Sequence, residues 1–231
     1  MSEQSSPTYI HTRERLETYF DRTASKTWAA LTSDAPVSKI RATVRAGRDE
    51  MRAMLLAALP ADLSGARVLD AGAGAGQMSF ELAARGADVV AVDISPSLLE
   101  VAKKRMPPIW ADRISFHAGD MLDPAHGRFD YAIAMDSVIH YRANDMARML
   151  GELAPRVWQK IAFTIAPQTP MLSAMHMAGK AFPRADRSPA IIPISETRLR
   201  RELAQLTGRE LHKIGRVHTG FYISQAMEVR A

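Results

Sequence analysis

The sequence predicts an α/β domain built on a mostly parallel sheet and preceded by a helical arm. Three observations carry this. From residue 66 onward short apolar strand-like runs alternate with helical ones, and βαβ alternation builds a parallel sheet covered by helices on both faces. The first of these strands runs into a glycine-rich turn, Asp70-Ala71-Gly72-Ala73-Gly74-Ala75-Gly76. Two later strands end near acids, Asp93 and Asp120, and open α/β sheets bind ligands at the carboxyl ends of their strands.

Taken in chain order, residues 10–60 read as helical. Within 37–59, Val37, Ile40, Val44, Met51, Leu55 and Ala58 recur at helical spacing. Arg41, Arg45, Arg48 and Arg52 follow one another by four, three and four residues, so they share one face, read as solvated. Gly47 weakens this helix by about 1 kcal/mol relative to alanine and allows a bend. Strands are predicted at 66–70, 88–92, 113–117, 129–135 and 157–165, with helices near 76–86, 96–106 and 143–153. Residues 166–193 break the rhythm with a long stretch rich in Met and Pro, and loops of that length are usually functional or mobile. A helix at 195–206 and strands at 210–217 and 220–228 close the chain. The predicted organisation is a helical arm, 1–60, and an α/β domain, 61–231, carrying an insertion at about 166–193.

Composition bounds the function. At 231 residues, with 47% hydrophobic and 24% charged, the chain fits one domain with a proper core and not a disordered protein. It has no cysteine, which excludes disulfides, a zinc ribbon and a thiol nucleophile, and suits a reducing compartment. The N-terminus lacks a basic segment followed by an apolar run, so a signal peptide is not expected and the cytoplasm is. Ile161 to Gly179 carries no charge, but Pro167, Gln168, Pro170 and His176 argue against a membrane-spanning helix. The net charge of +5 is spread along the chain. It suits an acidic small molecule or an anionic surface as well as nucleic acid. His11, His117, His126, His176, His212 and His218 show no metal-ligand spacing, and no protein-held metal is expected.

The glycine turn is the strongest signal. Glycines let a backbone turn sharply and approach a ligand, and a helix N-terminus supplies N–H donors. A dinucleotide fingerprint needs its third glycine one residue later, where this chain has Gln77. The D-x-G-x-G-x-G form instead resembles motif I of class I S-adenosylmethionine-dependent methyltransferases. That resemblance implies a Rossmann-like, seven-stranded, mostly parallel sheet with an antiparallel C-terminal hairpin. It also implies S-adenosylmethionine as methyl donor, held by Asp70, Gly72, Gly74 and Gly76. Asp93, followed by Ile94, would accept both ribose hydroxyls. Asp120 would take the adenine amino group, with the backbone of Met121 against the ring. Any one acid can be a helix cap or a solvated loop residue; three at successive strand ends argue for a site. After the fourth strand the chain reads Asp136-Ser137-Val138-Ile139 and not D/N-P-P-Y/F, so a nucleic-acid substrate is not expected.

The remaining segments narrow the acceptor. Leu16-Glu17-Thr18-Tyr19-Phe20-Asp21-Arg22-Thr23-Ala24 with Trp28, VSKIRATVRAGR (37–48), MDSVIHY (135–141) and FPRADRSPAIIP (182–193) together resemble the magnesium-protoporphyrin IX O-methyltransferases of bacteriochlorophyll and chlorophyll synthesis. The likeness runs over nearly the whole chain. One departure is Ala73 and Ala75, where relatives often carry Cys and Thr. The resemblance implies methyl transfer to one propionate carboxylate of the porphyrin, giving the monomethyl ester and S-adenosylhomocysteine (SAH). Magnesium then enters only as part of the substrate. Tyr19, on a mobile arm, and His140 become the catalytic candidates, with Asp136 behind them. His140 would either hydrogen-bond the reacting carboxylate or sit on the porphyrin magnesium; the preference of magnesium for oxygen favours the first. The family also implies contact with the magnesium chelatase large subunit and peripheral association with the photosynthetic membrane. The arginine stripe could meet propionates or anionic lipid. The methionine-rich stretch 171–182 is either a lid over the macrocycle or ordinary core.

A propionate, with a pKa of about 4.3, is already ionised at pH 7. No strong base is needed, and no catalytic triad is visible. Two other functions compete. A methyltransferase of a quinone precursor would need a base to ionise a phenol. A tetrapyrrole carrier would have no use for Asp70, Asp93 and Asp120.

Overall fold

The computed structural model describes residues 6–24, 38–169 and 190–230. Helix α1 spans Pro7–Thr18 and continues as a π-helical stretch, Tyr19–Ala24; α2 spans Lys39–Ala57. Then β1 (Arg67–Ala71), α3 (Gln77–Ala84), β2 (Asp88–Asp93), α4 (Pro96–Arg105), β3 (Ile114–Ala118) and β4 (Phe129–Ala134) alternate. A 3₁₀ turn, Val138–His140, leads into α5 (Ala143–Leu153) and β5 (Val157–Ile165). Helix α6 (Glu196–Thr207) and strands β6 (Leu211–Thr219) and β7 (Tyr222–Arg230) complete the chain.

The seven strands form one sheet in the order β3-β2-β1-β4-β5-β7-β6. The first five are parallel, and β7 runs antiparallel to both β5 and β6. The expected mostly parallel sheet with its antiparallel hairpin is therefore present. Local chemistry sets the boundaries. Pro96 opens α4, and the Ser95 hydroxyl caps it by accepting from the Leu98 N–H at 3.3 Å.

Successive residues of a strand point to opposite faces, so a parallel strand must be apolar on both. Leu69, Val90 and Phe163 pack with α5, α6 and the α1 residues Tyr9 and Leu16. Val68, Val89 and Ala162 pack on the other face with Met51, Leu55 and Leu56 of α2. Helix α2 runs unbroken through Gly47. A Cβ there would lie 2.6 Å from Cδ1 of Tyr222, so this glycine admits a close approach of α2 to β7.

The strand order reverses between β1 and β4, which opens a crevice at their carboxyl ends. The glycine turn follows β1 on one side, and Asp136 to His140 follow β4 on the other. Trp28 and the methionine-rich stretch 171–182 lie outside the described residues.

Candidate active site

A largely apolar cleft occupies this crevice. Gly72, Gly74 and Gly76 have φ values of 87°, 53° and 83°, a region that L side chains avoid. Each glycine has a different reason to be one. A Cβ on Gly72 would fall 2.2 Å from Cβ of Ser137, whose hydroxyl donates to the Ala71 carbonyl at 2.7 Å and joins the two turns. A Cβ on Gly74 would meet nothing within 4 Å, and Gly74 lines the cleft. Gly76 is not among the lining residues; a side chain there would strike Phe80 and Ala102, so it serves the packing of α3 on α4.

Asp93 ends β2 and is buried. One oxygen accepts the Gly74 N–H and the other the Ser95 N–H, each at 2.8 Å. Two lone pairs remain, one per oxygen, which is what a pair of vicinal hydroxyls needs. Burial raises its pKa, and the two N–H groups oppose the rise. Asp70 lies deeper, accepts the Ser79 hydroxyl at 2.5 Å, and is pushed up to about 7, mainly by burial. Ile94 and Met121 line the cleft as expected.

Asp120 also lines it, with an unexpected set of partners. The Tyr9 hydroxyl donates to one oxygen at 2.6 Å, with the Leu122 N–H at 2.9 Å, and Arg13 holds the other at 2.5 Å. The carboxylate assigned to adenine is thus engaged by α1. Helix α1 is polar almost all round, with only Tyr9 and Leu16 buried, so no pattern marked Tyr9 and Arg13, and sequence reasoning missed both.

His140 is buried in the cleft wall. Its Nδ1 lies 3.3 Å from the carbonyl oxygen of Ala190. A carbonyl has no proton to give, so Nδ1 carries it. Burial lowers the pKa, so the ring is neutral and Nε2 bears a lone pair. This reverses the donor role favoured from the sequence. Tyr19 is half-buried and packs edge-on against Phe20 at 5.3 Å. Phe20, 5.9 Å from the His140 ring, lines the cleft, and Tyr19 does not. Tyr19 thus stands one residue from the cleft wall.

Asp136 has φ 55°, the one described non-glycine in that region. It accepts from Arg48 at 2.6 Å, from the Tyr222 hydroxyl at 3.0 Å and from the Thr164 hydroxyl at 3.2 Å. Arg48 and Arg52 line the cleft, so the C-terminal half of the arginine stripe is part of the site and not a solvated face. Among the described residues no group of three or more His, Cys, Asp or Glu could hold a metal ion, and no helix is long and apolar enough to cross a membrane.

The sheet order, the glycine turn against Asp93 and the cleft at the switch point define a class I S-adenosylmethionine-dependent methyltransferase. Comparisons with known proteins agree. A family described as "Methyltransferase domain" matches residues 68–158, and one described as "Magnesium-protoporphyrin IX methyltransferase C-terminus" matches 134–231. The magnesium-protoporphyrin O-methyltransferase of Rhodobacter capsulatus is 55% identical over 96% of this chain and 98% of its own. The enzyme of that name from Synechocystis sp. is 28% identical over 91% and 92%. The crystal structure of magnesium protoporphyrin IX methyltransferase from Synechocystis PCC 6803 with bound SAH superposes with a TM-score of 0.79 at 27% identity, covering 94% of this chain and 99% of that one. The chain belongs to the magnesium-protoporphyrin O-methyltransferase family.

Proposed function

We propose that this chain transfers a methyl group from S-adenosylmethionine to one propionate carboxylate of magnesium-protoporphyrin IX, yielding the monomethyl ester and SAH in bacteriochlorophyll synthesis. The observation that carries this reading is the cleft itself: an Asp93–Gly74 cradle and a buried neutral His140 face one space, in a chain 55% identical to an enzyme of that name. The cradle fits the cofactor, since its donors are satisfied and its remaining lone pairs are those a ribose diol requires. When bound, the cofactor supplies an electrophilic sulfonium methyl.

The residues have separate tasks. Gly72 and Gly74 bring backbone to the ligand, and Gly76 lets α3 close behind them. Asp70 and Asp93 place carboxylates along the ribose and the amino-acid end; Ile94, Asp120 and Met121 border the adenine end. The acceptor oxygen arrives ionised, so the enzyme has to strip its water and fix the approach, which needs reacting atoms about 3–3.5 Å apart. The apolar wall strips the water. His140 presents a lone pair and no proton, so it receives an electrophile, and the porphyrin magnesium is the electrophile at hand. Tyr19, next to the cleft-lining Phe20 at the end of α1, orients the acceptor from the helical arm (1–60) against the domain (61–231).

We also propose that the magnesium chelatase large subunit delivers the substrate to this chain in the cytoplasm, and that the chain meets the photosynthetic membrane peripherally. Co-sedimentation with the purified subunit and with anionic vesicles tests both. The function itself is tested by incubating the purified protein with S-adenosylmethionine and magnesium-protoporphyrin IX or metal-free protoporphyrin IX, then separating the pigments. Ester from the magnesium substrate alone supports the reading; SAH binding without ester from either would redirect it to another apolar acceptor, such as a quinone precursor.

A further inference from the structure

Arg48 and Arg52 both line the cleft, yet their surroundings differ. Their side chains are covered alike, 16% and 15% exposed. Arg48 meets Asp136, itself only 7% exposed, so its charge is balanced inside the wall. The carboxylate partner of Arg52 is Asp49, less than one turn back on α2, through a single Nη2–Oδ1 contact of 2.7 Å. Asp49 is 49% exposed, so water screens that pair. A guanidinium has five N–H donors in a planar fork, and this contact uses one. Beside Arg52, Met51 and Leu55 are fully buried in the cluster that holds Ala73 and Met78 at the glycine turn. Helix α2 thus carries a cation into an apolar wall next to the cofactor loop.

We propose that Arg52 binds, in the cleft, a carboxylate that keeps its charge throughout the transfer, and not the oxygen that is methylated. The reacting carboxylate loses its charge as the C–O bond forms. A guanidinium gripping that oxygen would stabilise it more before the transition state than in it, and would slow the step. Two carboxylates stay charged. One is the second propionate of the porphyrin; the other is the α-carboxylate on the amino-acid tail of the methyl donor. Asp120 and Asp93 mark the adenosine end of the cleft, after β3 and β2. The sheet order continues β1, β4, and Asp136 with its arginine follows β4, so the arginines stand at the end where tail and acceptor meet. The propionate source rests on the function proposed above; the cofactor source does not.

The test compares the wild type with Arg52→Gln, Arg52→Lys and Asp49→Asn. The probes are SAH, 5′-methylthioadenosine, which keeps the adenosine and thioether but lacks the carboxylate, and turnover of magnesium-protoporphyrin IX. Arg52→Gln is expected to raise either the SAH Kd or the porphyrin KM roughly ten- to a hundredfold, with a smaller effect on kcat. Lysine recovers part, because it keeps the charge without the fork. Weaker SAH with unchanged 5′-methylthioadenosine assigns the donor's carboxylate; a higher porphyrin KM with unchanged SAH assigns the second propionate. Asp49→Asn removes a competing acceptor, so it should leave these values unchanged or tighten them. The proposal is overturned if both affinities stay unchanged, if kcat alone falls, if 5′-methylthioadenosine weakens in step with SAH, or if Asp49→Asn copies Arg52→Gln. A wild type that binds SAH but makes no ester would sink the functional reading, and the SAH arm would still decide on Arg52.

Discussion

The hydroxyl of Tyr9 donates to the carboxylate of Asp120 at 2.6 Å, although 111 residues separate them. Arg13, one turn further along α1, takes the other oxygen at 2.5 Å. The hydroxyls of Ser6 and Thr8 both donate to the buried Asp145 of α5, at 2.7 and 2.8 Å. Helix α1 is thus fastened at two points across one rim of the cleft. Burial, with the adjacent carboxylate, raises the Tyr9 pKa, so the phenol stays a donor at any working pH. Tyr9→Phe removes a hydrogen bond to a charged group, in the class worth about 1.5–3 kcal/mol. The expected outcome is faster SAH release, by roughly threefold or more, with a native circular dichroism spectrum. Stopped-flow displacement measures it; an unchanged off-rate would show that α1 does not retain the cofactor.

Asp93 separates binding from chemistry. Its oxygens hold the N–H groups of Gly74 and Ser95, so alanine would orphan buried donors as well as remove the proposed diol acceptor. Asp93→Asn is the cleaner variant, since it keeps one acceptor oxygen. It is expected to raise the SAH Kd about ten- to a hundredfold, while kcat at saturating cofactor stays within a few-fold of wild type. Titration calorimetry and steady-state kinetics read the two numbers. A fall in kcat without a change in Kd would remove Asp93 from the binding site.

The fold was legible in the sequence because both faces of each parallel strand are buried, which forces continuous apolar runs such as Val89-Val90-Ala91-Val92. The glycine turn after β1 was legible because backbone geometry demands glycine there and leaves a motif. The other wall was not. Arg48, Asp136, Tyr222 and Thr164 form one hydrogen-bonded cluster from α2, the turn after β4, β7 and β5. Such a cluster arises from tertiary packing and has no local spacing to find. The arginine spacing located the face of α2 correctly, but its burial depends on where α2 docks, which periodicity does not encode. Tyr19 was named from the family resemblance and not from a pattern in its segment, and the neighbouring Phe20 is the one that lines the cleft.

Asp70 predicts a pH dependence with a definite sign. Its pKa is raised to about 7, from an ordinary value near 4, chiefly by burial. The folded state therefore binds more protons than the unfolded chain between about pH 4 and 7. Through this group alone, stability falls as pH rises across that window. A cationic ligand in the cleft favours the ionised form and lowers the pKa. SAH, with its ammonium group, should therefore bind more tightly as pH rises from about 6 to 8. It should also release protons on binding, seen as a buffer-dependent heat. Asp70→Asn should flatten both effects. An affinity independent of pH in the wild type would place the proton elsewhere.

His140 and Tyr19 are predicted to act on turnover. His140→Ala should lower kcat about a hundredfold or more, within the range typical of positioned groups, and leave the SAH Kd within a few-fold of wild type. Because burial lowers the His140 pKa, the neutral ring persists below the ordinary imidazole range near 6.5. Activity that depends on its lone pair should hold down to pH values where a solvent-exposed histidine would already be protonated. Tyr19→Phe tests the arm: lower kcat with unchanged SAH binding fits a substrate contact. For either variant, a loss of SAH affinity matching the loss of rate would refute the assignment.

Gly47→Ala sets two known effects against each other. In a helix interior, alanine is preferred to glycine by about 1 kcal/mol, so propensity alone predicts a stabilised α2. The new Cβ, however, would lie 2.6 Å from Cδ1 and 2.8 Å from Cβ of Tyr222, a buried side chain that cannot swing into solvent. Overpacking of this kind costs about 1–3 kcal/mol, so the net change should be destabilising. The displacement has a second consequence. The Tyr222 hydroxyl donates to Asp136 at 3.0 Å, and Asp136 holds Arg48 at the cleft. Gly47→Ala should therefore lower both the melting temperature and kcat/KM. Tyr222→Phe, which keeps the ring and loses only the hydroxyl, should lower kcat/KM with a smaller loss of stability. If Gly47→Ala raises the melting temperature, α2 does not pack against β7 as closely as described, and the route from Gly47 through Tyr222 to Asp136 falls with it.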